Sequence, residues 1–95
     1  MDGRRWVRVV GDGLAYQGPC LVHSITFMPV TANDYADIYD GRDAVSGKRF
    51  MRVISSVVVT WCMCYASGIP FDQGIYIDGF DAEVETTVVF TPLDV

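Results

Sequence analysis

Histidine, cysteine and basic residues are scarce in this 95-residue chain, and each shortage argues against a class of function. His23 is the only histidine, so a nucleophile has one candidate base, and no nucleophile motif accompanies it. Seven Lys and Arg residues against twelve Asp and Glu residues give a net charge of −5, which repels DNA and RNA. We therefore expect neither an enzyme nor a nucleic-acid-binding protein.

Long apolar segments are also missing. The longest strongly apolar run, 57–66, is interrupted by Thr60 and is about half the ~20 residues that a membrane-spanning helix needs. Residues 1–6 lack the apolar core of a signal peptide. We expect synthesis in the cytoplasm and no membrane partner.

The three cysteines, in a chain without a secretion signal, predict reduced thiols and no disulfide framework. A tetrahedral zinc site would need Cys20, His23, Cys62 and Cys64 together. Residues 20 and 23 face opposite sides of an extended strand, so we predict no zinc site. The acidic residues near the last turns match no EF-hand spacing and are expected to be solvated: Asp72, Asp78, Asp81, Glu83 and Glu85. We predict neither a metal nor another cofactor.

Apolar residues recur with a period of two or in short runs, which predicts an all-β protein. The predicted strands are 6–10, 14–17, 20–28, 35–39, 49–55, 57–65, 74–78 and 84–91. Turns rich in Gly, Asp and Pro separate them at intervals too short for crossover helices. We predict a single domain over 1–95, a jelly-roll-like antiparallel β-sandwich of seven or eight strands, with a flexible N-terminal arm at 1–5.

Alternation along the strands predicts both a core and a contact between copies. The residues expected to point inward are Leu21, Ile25, Phe27, Val88 and Phe90. The segment 57–65 is apolar on both faces, so it needs a cover on each side. Because 51% of the residues are apolar, more than so small a domain needs, we expect the surplus to form a homo-oligomer interface. Its predicted residues are Val57, Val59, Trp61, Met63 and Tyr65.

Two further sets of residues are candidates for contact with other molecules. Aromatic and acidic loops at 40–48 and 72–83 favour, as an alternative, a carbohydrate- or protein-binding module with Tyr76 and Phe80 at its surface. Arg4 and Arg5, in the basic cluster of the arm, are candidates for contact with an acidic partner.

A series of short motifs carries a family resemblance. The motifs are Gly18-Pro-Cys20, Tyr39-Asp-Gly-Arg-Asp43, Gly68-Ile-Pro-Phe71, Gly74-Ile-Tyr-Ile-Asp78 and Thr87-Val-Val-Phe-Thr-Pro92. Their order over roughly residues 15–93 resembles small β-sandwich proteins encoded among the virion structural genes of tailed bacteriophages. The resemblance implies a virion component made in the host bacterial cytoplasm, such as a capsid decoration or cement protein, a head-fibre part, or a head–tail or tail attachment piece. It also implies a homotrimer or other ring docked on capsid or tail proteins, and it brings no catalytic residues.

Overall fold

The computed structural model describes residues 3–93, and in that range the chain forms eight β-strands and no helix. The strands are β1 (Arg5–Val10), β2 (Asp12–Gln17), β3 (Cys20–Met28), β4 (Tyr35–Asp40), β5 (Lys48–Ile54), β6 (Trp61–Phe71), β7 (Gly74–Gly79) and β8 (Glu85–Pro92). The described residues accordingly contain no helix with the length and apolar character needed to cross a membrane.

The strands form two antiparallel sheets of four strands each, packed face to face. One sheet has the order β1-β8-β3-β6 and the other has the order β2-β7-β4-β5. Each sheet thus alternates early and late strands, as in a jelly roll. The predicted all-β sandwich is confirmed. Strands β1 and β2 contact each other at one side of the sandwich, whereas β6 and β5 end the two sheets at the opposite side.

The core lies between the sheets and takes alternate residues from each strand. In β8, Thr86, Val88 and Phe90 are buried, and in β7 the same holds for Ile75 and Ile77. β-Branched and aromatic side chains at these positions fit the pleated, covered face of a strand. Each such apolar side chain contributes about 1.5–3 kcal/mol when it leaves water. The inward orientation predicted for Val88 and Phe90 is confirmed.

A bulge in β3 overturns one core prediction. The buried residues of this strand are Cys20, Val22, Ile25 and Phe27. The register with β8 shifts between Val22 and Ser24, so His23 is an additional residue and the inward positions change from even to odd numbers. Leu21 therefore lies on the outer side and only partly buried, and its predicted place in the core was wrong. The predictions for Ile25 and Phe27 are confirmed.

Strand β6 differs most from its prediction. It begins at Trp61, not at residue 57, and continues through Gly68 and Pro70 to Phe71. Residues 65–68 lie opposite His23 alone and bulge away from β3, which the positive φ of Gly68 (+80°) permits. Pro70 is tolerated because an edge strand has unpaired backbone groups on one side.

Strand β1 begins inside the segment that was predicted to be an N-terminal arm. Arg5 is the first residue of β1 and pairs with Phe90, so its assignment to the arm was wrong. Arg4 precedes the strand and is exposed. Met1 and Asp2 lie outside the described residues.

Candidate functional site

The side of the sandwich at which β5 and β6 end the sheets is unusually exposed. Val53 is the only buried residue of β5, and Phe71 is the only one of β6. By contrast, no residue of the central strand β8 is fully exposed. Within residues 3–93, neither β5 nor β6 has a strand partner on its outer edge. We call the surface formed by residues 48–65, which comprises β5, the loop 55–60 and the start of β6, the open side.

Apolar side chains are concentrated on the open side. Six of the fourteen large apolar residues that are exposed in the described chain lie within it. They are Phe50, Ile54, Val57, Val58, Val59 and Trp61. Val58 is 58% exposed and Trp61 is 48% exposed. A large apolar surface is therefore exposed to water in a single copy of the chain. Exposed apolar side chains concentrated in one region are typical of sites of interaction with other molecules.

A groove of about 230 Å³ runs between the two edge strands. Its lining residues are Met51, Arg52, Val53, Ile54, Trp61 and Met63. The indole Nε1 of Trp61 donates a hydrogen bond to Ser55 Oγ at 2.9 Å, which holds the ring against the loop that joins β5 to β6. The groove is therefore an opening into the space between the sheets, with mainly apolar walls.

Aromatic rings of β5 and β6 also contact each other. The Phe50 ring meets the Tyr65 ring edge-on with a centroid distance of 6.1 Å, and it meets the Phe71 ring at 5.2 Å. The Tyr65 hydroxyl donates to Met51 Sδ at 3.5 Å. Burial raises the pKa of Tyr65, so its hydroxyl stays protonated at neutral pH. These contacts join the two sheets where no backbone hydrogen bond does.

The five residues predicted for the subunit contact all lie on the open side, in two settings. Val57 and Val59 are exposed in the loop, where a strand was predicted. The other three, Trp61, Met63 and Tyr65, alternate along β6 with their side chains toward the space between the sheets. Sequence reasoning missed the share of β5 in this surface. The uncharged segment 53–71 includes only the end of β5, because Lys48, Arg49 and Arg52 precede it.

Tyr76 lies on the outer face of the other sheet. Its ring is near that of Tyr39, with a centroid distance of 6.4 Å, and its hydroxyl donates to Asp12 Oδ2 at 3.4 Å. Burial raises the pKa of Tyr76, and the neighbouring carboxylates of Asp12 and Asp78 raise it further. The phenol is thus a neutral hydrogen-bond donor on an acidic surface.

Phe80 follows β7 and is 60% exposed on the same face. It packs against Tyr35 with a centroid distance of 4.7 Å. The guanidinium of Arg52 lies 4.1 Å from the centre of the Tyr35 ring and donates to both Asp37 carboxylate oxygens, at 2.7 and 3.0 Å. Side-chain contacts therefore fix Tyr35, and Tyr35 supports Phe80 as an exposed aromatic surface.

Arg4 and Arg5 lie at the start of β1, in the sheet opposite to Tyr76 and Phe80. Arg4 lines a cavity of about 450 Å³ together with residues of β3, β6 and β8. The other lining residues are His23, Ser24, Cys64, Tyr65, Ala66 and Val89. The four residues predicted for partner contact thus belong to two separate surfaces and do not form one site.

One of the three cysteines is buried and the other two are exposed. Cys20 is in the core, where burial, with a smaller effect of the Asp40 carboxylate, raises the pKa of its thiol to about 11. Cys62 and Cys64 are exposed with their sulfur atoms 3.7 Å apart. The hydrogen bond between these two thiols raises the pKa of Cys64. Cys20, His23, Cys62 and Cys64 are not brought together, and residues 3–93 contain no group of three or more potential metal ligands.

Comparison with protein-family models, with curated proteins and with solved structures gives no match to this chain. A fold alone hosts many unrelated functions, so function must be argued from particular surfaces. Two surfaces support such an argument. One is the open side, and the other is the outer face of the β2-β7-β4-β5 sheet with Tyr35, Tyr76 and Phe80, which we call the aromatic face.

Proposed function

We propose that this protein is a non-catalytic structural protein that assembles with copies of itself through the open side. The concentration of exposed apolar side chains at two unpaired sheet edges carries the proposal. A second copy would cover the groove and the loop 55–60, and it would remove Val58 and Trp61 from water. Large apolar side chains in the centre of an interface contribute most of the binding free energy.

The assembly, in this proposal, is part of the particle of a tailed bacteriophage. It would be a capsid decoration or cement protein, or a piece of the head–tail or tail structure, and it would be made in the host bacterial cytoplasm. The motif resemblance described above supports this assignment, and jelly rolls are common in viral capsid domains. The net charge of −5 fits a protein that must stay soluble before assembly and away from packaged DNA.

Sedimentation velocity of the purified, reduced protein at micromolar concentration tests the self-assembly. We expect a homo-oligomer, and a clean monomer would contradict the proposal. The particle assignment needs a separate test, in which virions of the phage that encodes this protein are purified and probed with an antibody against it. Absence of the protein from the virions would overturn the particle assignment and leave the self-assembly standing.

The aromatic face of the second sheet favours a rival function, a carbohydrate- or protein-binding module. Tyr35 and Phe80 form an exposed aromatic pair there, and Tyr76 offers a hydroxyl beside Asp12. Jelly rolls also occur in lectins. A glycan array decides between the two proposals: specific binding that is lost in Phe80→Ala and in Tyr76→Ala would favour the rival.

A further inference from the structure

The thiols of β6 have the spacing of two ligands of one metal ion. Cys62 and Cys64 lie on the same face of the strand with a sulfur–sulfur distance of 3.7 Å. In a tetrahedral zinc thiolate, with zinc–sulfur bonds of about 2.3 Å, two sulfur atoms are about 3.8 Å apart. The pair therefore needs little movement to bind a thiophilic cation.

One copy of the chain supplies only half of such a site. Within residues 3–93 no third cysteine, histidine or carboxylate joins the two thiols. Cys20 is on the inner face, and the Thr26 hydroxyl that contacts Cys62 at 3.5 Å is a poor ligand for a soft ion. A structural zinc site has four protein ligands, so the missing two must come from another molecule.

The free edge of β6 is suited to pair with a second copy. Edge strands that stay single are usually protected by charges, whereas all eleven residues of β6 are uncharged. Strand β5, the other free edge, carries Lys48, Arg49 and Arg52. The regular part of β6 is 61–64, which pairs with β3, and Tyr65 is the first residue of the bulge.

The geometry of antiparallel pairing restricts the register. Residues directly opposite each other in an antiparallel pair point to the same face of the sheet. A twofold axis that relates two copies of β6 must therefore pass midway between the two copies of one residue, which then lie opposite each other. Met63 lies between Cys62 and Cys64 within this regular part. An axis there places Cys62 opposite Cys64 of the second copy, and it places Trp61 opposite Tyr65 of the second copy.

This register brings side chains of the same kind together on each face of the sheet. On the inner side, Trp61, Met63 and Tyr65 of both copies would meet and extend the core across the groove. On the outer side, the four thiols would meet, because opposite side chains in an antiparallel pair have Cβ atoms about 4.5–5.5 Å apart. No other axis position within 61–65 places both thiols opposite thiols.

We propose that two copies pair through β6 with Met63 on the twofold axis, and that Cys62 and Cys64 of both copies bind one Zn²⁺ ion. This inference rests on the proposed self-assembly and specifies its contact. Such a contact is isologous, so it predicts a dimer or an even-numbered assembly and not a trimer. Binding replaces the thiol protons by metal–sulfur bonds and releases these protons to solvent.

Zinc titration of the reduced, metal-free protein, followed by sedimentation velocity and by metal analysis, tests the proposal. We expect one Zn²⁺ per two chains and a fall of at least about tenfold in the dimer dissociation constant, since the ion binds only the dimer. Cobalt(II) in place of zinc should give the intense visible absorption of a tetrahedral thiolate complex. Cys62→Ser and Cys64→Ser should each abolish that spectrum and the zinc effect, whereas Cys20→Ala should keep both.

Three outcomes would overturn this inference. The first is that no zinc binds. The second is that one zinc binds per chain without a change in the mass of the sedimenting species. The third is that zinc still lowers the dimer dissociation constant in both serine variants. If the wild type and the serine variants associate equally with and without zinc, the metal site is wrong while the proposed self-assembly stands. If the chain stays monomeric under every condition, both proposals fail.

Discussion

Phe50 of β5 meets Tyr65 of β6 edge-on, with ring centroids 6.1 Å apart, and this contact joins the two sheets on a side where no strand pairing does so. Beyond these rings the sandwich stays open, and Trp61 and Val58 remain exposed. The central question about the molecule is what covers this opening. We propose that a second copy of the chain covers it.

Truncation of Trp61 should weaken self-association more than it weakens the fold. Trp61 is half exposed in one copy, so burial in an interface would make it an anchor of the contact. Loss of a tryptophan anchor costs about 2 kcal/mol or more, which corresponds to about a 30-fold rise in the dissociation constant. We expect this rise for Trp61→Ala in sedimentation equilibrium, with a folded circular dichroism spectrum.

A charge on the loop 55–60 should have a similar effect. Val58→Lys would place an ammonium group in the apolar contact, and burial of an unpaired charge is strongly unfavourable. Val45→Lys is the matched control, because Val45 is 97% exposed in the loop before β5, at the opposite end of that strand from the loop 55–60. Equal dissociation constants for the two variants in sedimentation equilibrium would exclude the loop from the interface.

The register of the β6 contact can be tested by a disulfide. With Met63 on a twofold axis, the two copies of this residue would face each other with Cα atoms about 4.5–5.5 Å apart, within the range for a disulfide. In a Cys62→Ser, Cys64→Ser background, we expect Met63→Cys to form a covalent dimer under mild oxidation. Val45→Cys in the same background is the control. Equal cross-linking of the two variants would contradict the register.

Substitution of one buried and one exposed phenylalanine tests the assignment of residues to the core. Phe71 is 2% exposed and contacts Phe50, whereas Phe80 is 60% exposed. Phe71→Ala should lower the free energy of unfolding by about 3–5 kcal/mol, through lost burial and the cavity it leaves. Phe80→Ala should change it by about 0.5 kcal/mol or less. Urea unfolding of both variants measures the difference, and similar losses would contradict the assignment of Phe71 to the core.

Gly74 should resist substitution for a steric reason. Its φ of +147° disfavours other residues, and a Cβ atom there would collide with the carbonyl oxygen of Tyr16. We expect Gly74→Ala to destabilise the fold by about 1–3 kcal/mol in thermal unfolding. Gly13→Ala is the control, because its nearest new contact is Val9 Cγ1 at an ordinary 3.4 Å. A Gly74→Ala protein as stable as the Gly13→Ala protein would refute the steric argument.

Asp34 should make stability depend on pH in the acid range. It is buried and accepts hydrogen bonds from the backbone N–H groups of Val30 and Thr31 at 3.0 and 2.8 Å. Burial raises the pKa of its carboxyl, but these hydrogen bonds outweigh that effect and hold the pKa below its ordinary value of 3.8. A lowered folded pKa stabilises the protein above the unfolded pKa and ceases to do so as the pH falls through the folded value.

We therefore expect Asp34→Asn to be less stable than the wild type at pH 7 in urea unfolding, with a gap that narrows below about pH 3.8. Asp43 offers a control, since it accepts similar hydrogen bonds from Val45 and Ser46 in an exposed loop. Solvent weakens such exposed contacts, so Asp43→Asn should cost less. A gap for Asp34→Asn that is independent of pH would show that its ionisation is not coupled to folding.

The amino-acid pattern predicted the fold class because strands and turns leave local signals. The alternation of Val88 and Phe90 and the turns rich in Gly and Asp are such signals. The orientation of Leu21 was not predictable, since the bulge at His23 arises from pairing with distant strands. The start of β6 was also missed. Three consecutive valines, Val57–Val59, favour a strand by propensity, whereas the Ser55 hydroxyl, which donates to the Val57 carbonyl and accepts from the Trp61 indole, holds these residues in a loop.

The candidate site was predictable only in part. The apolar segment 57–65 lies on the open side, but the contribution of Phe50 and Met51 to that surface requires the knowledge that β5 lies next to β6. The distance between Cys62 and Cys64 follows from their two-residue spacing on a strand, whereas the free edge beside them follows only from the sheet order.

Hydrogen–deuterium exchange at a series of protein concentrations tests the central claim most directly, because it reports which surface is covered when copies meet. We predict that peptides covering 55–65 exchange more slowly as the concentration rises, while peptides covering 41–47 and 72–83 do not change. Exchange of 55–65 that is independent of concentration, in a sample that sedimentation shows to be associated, would contradict the account.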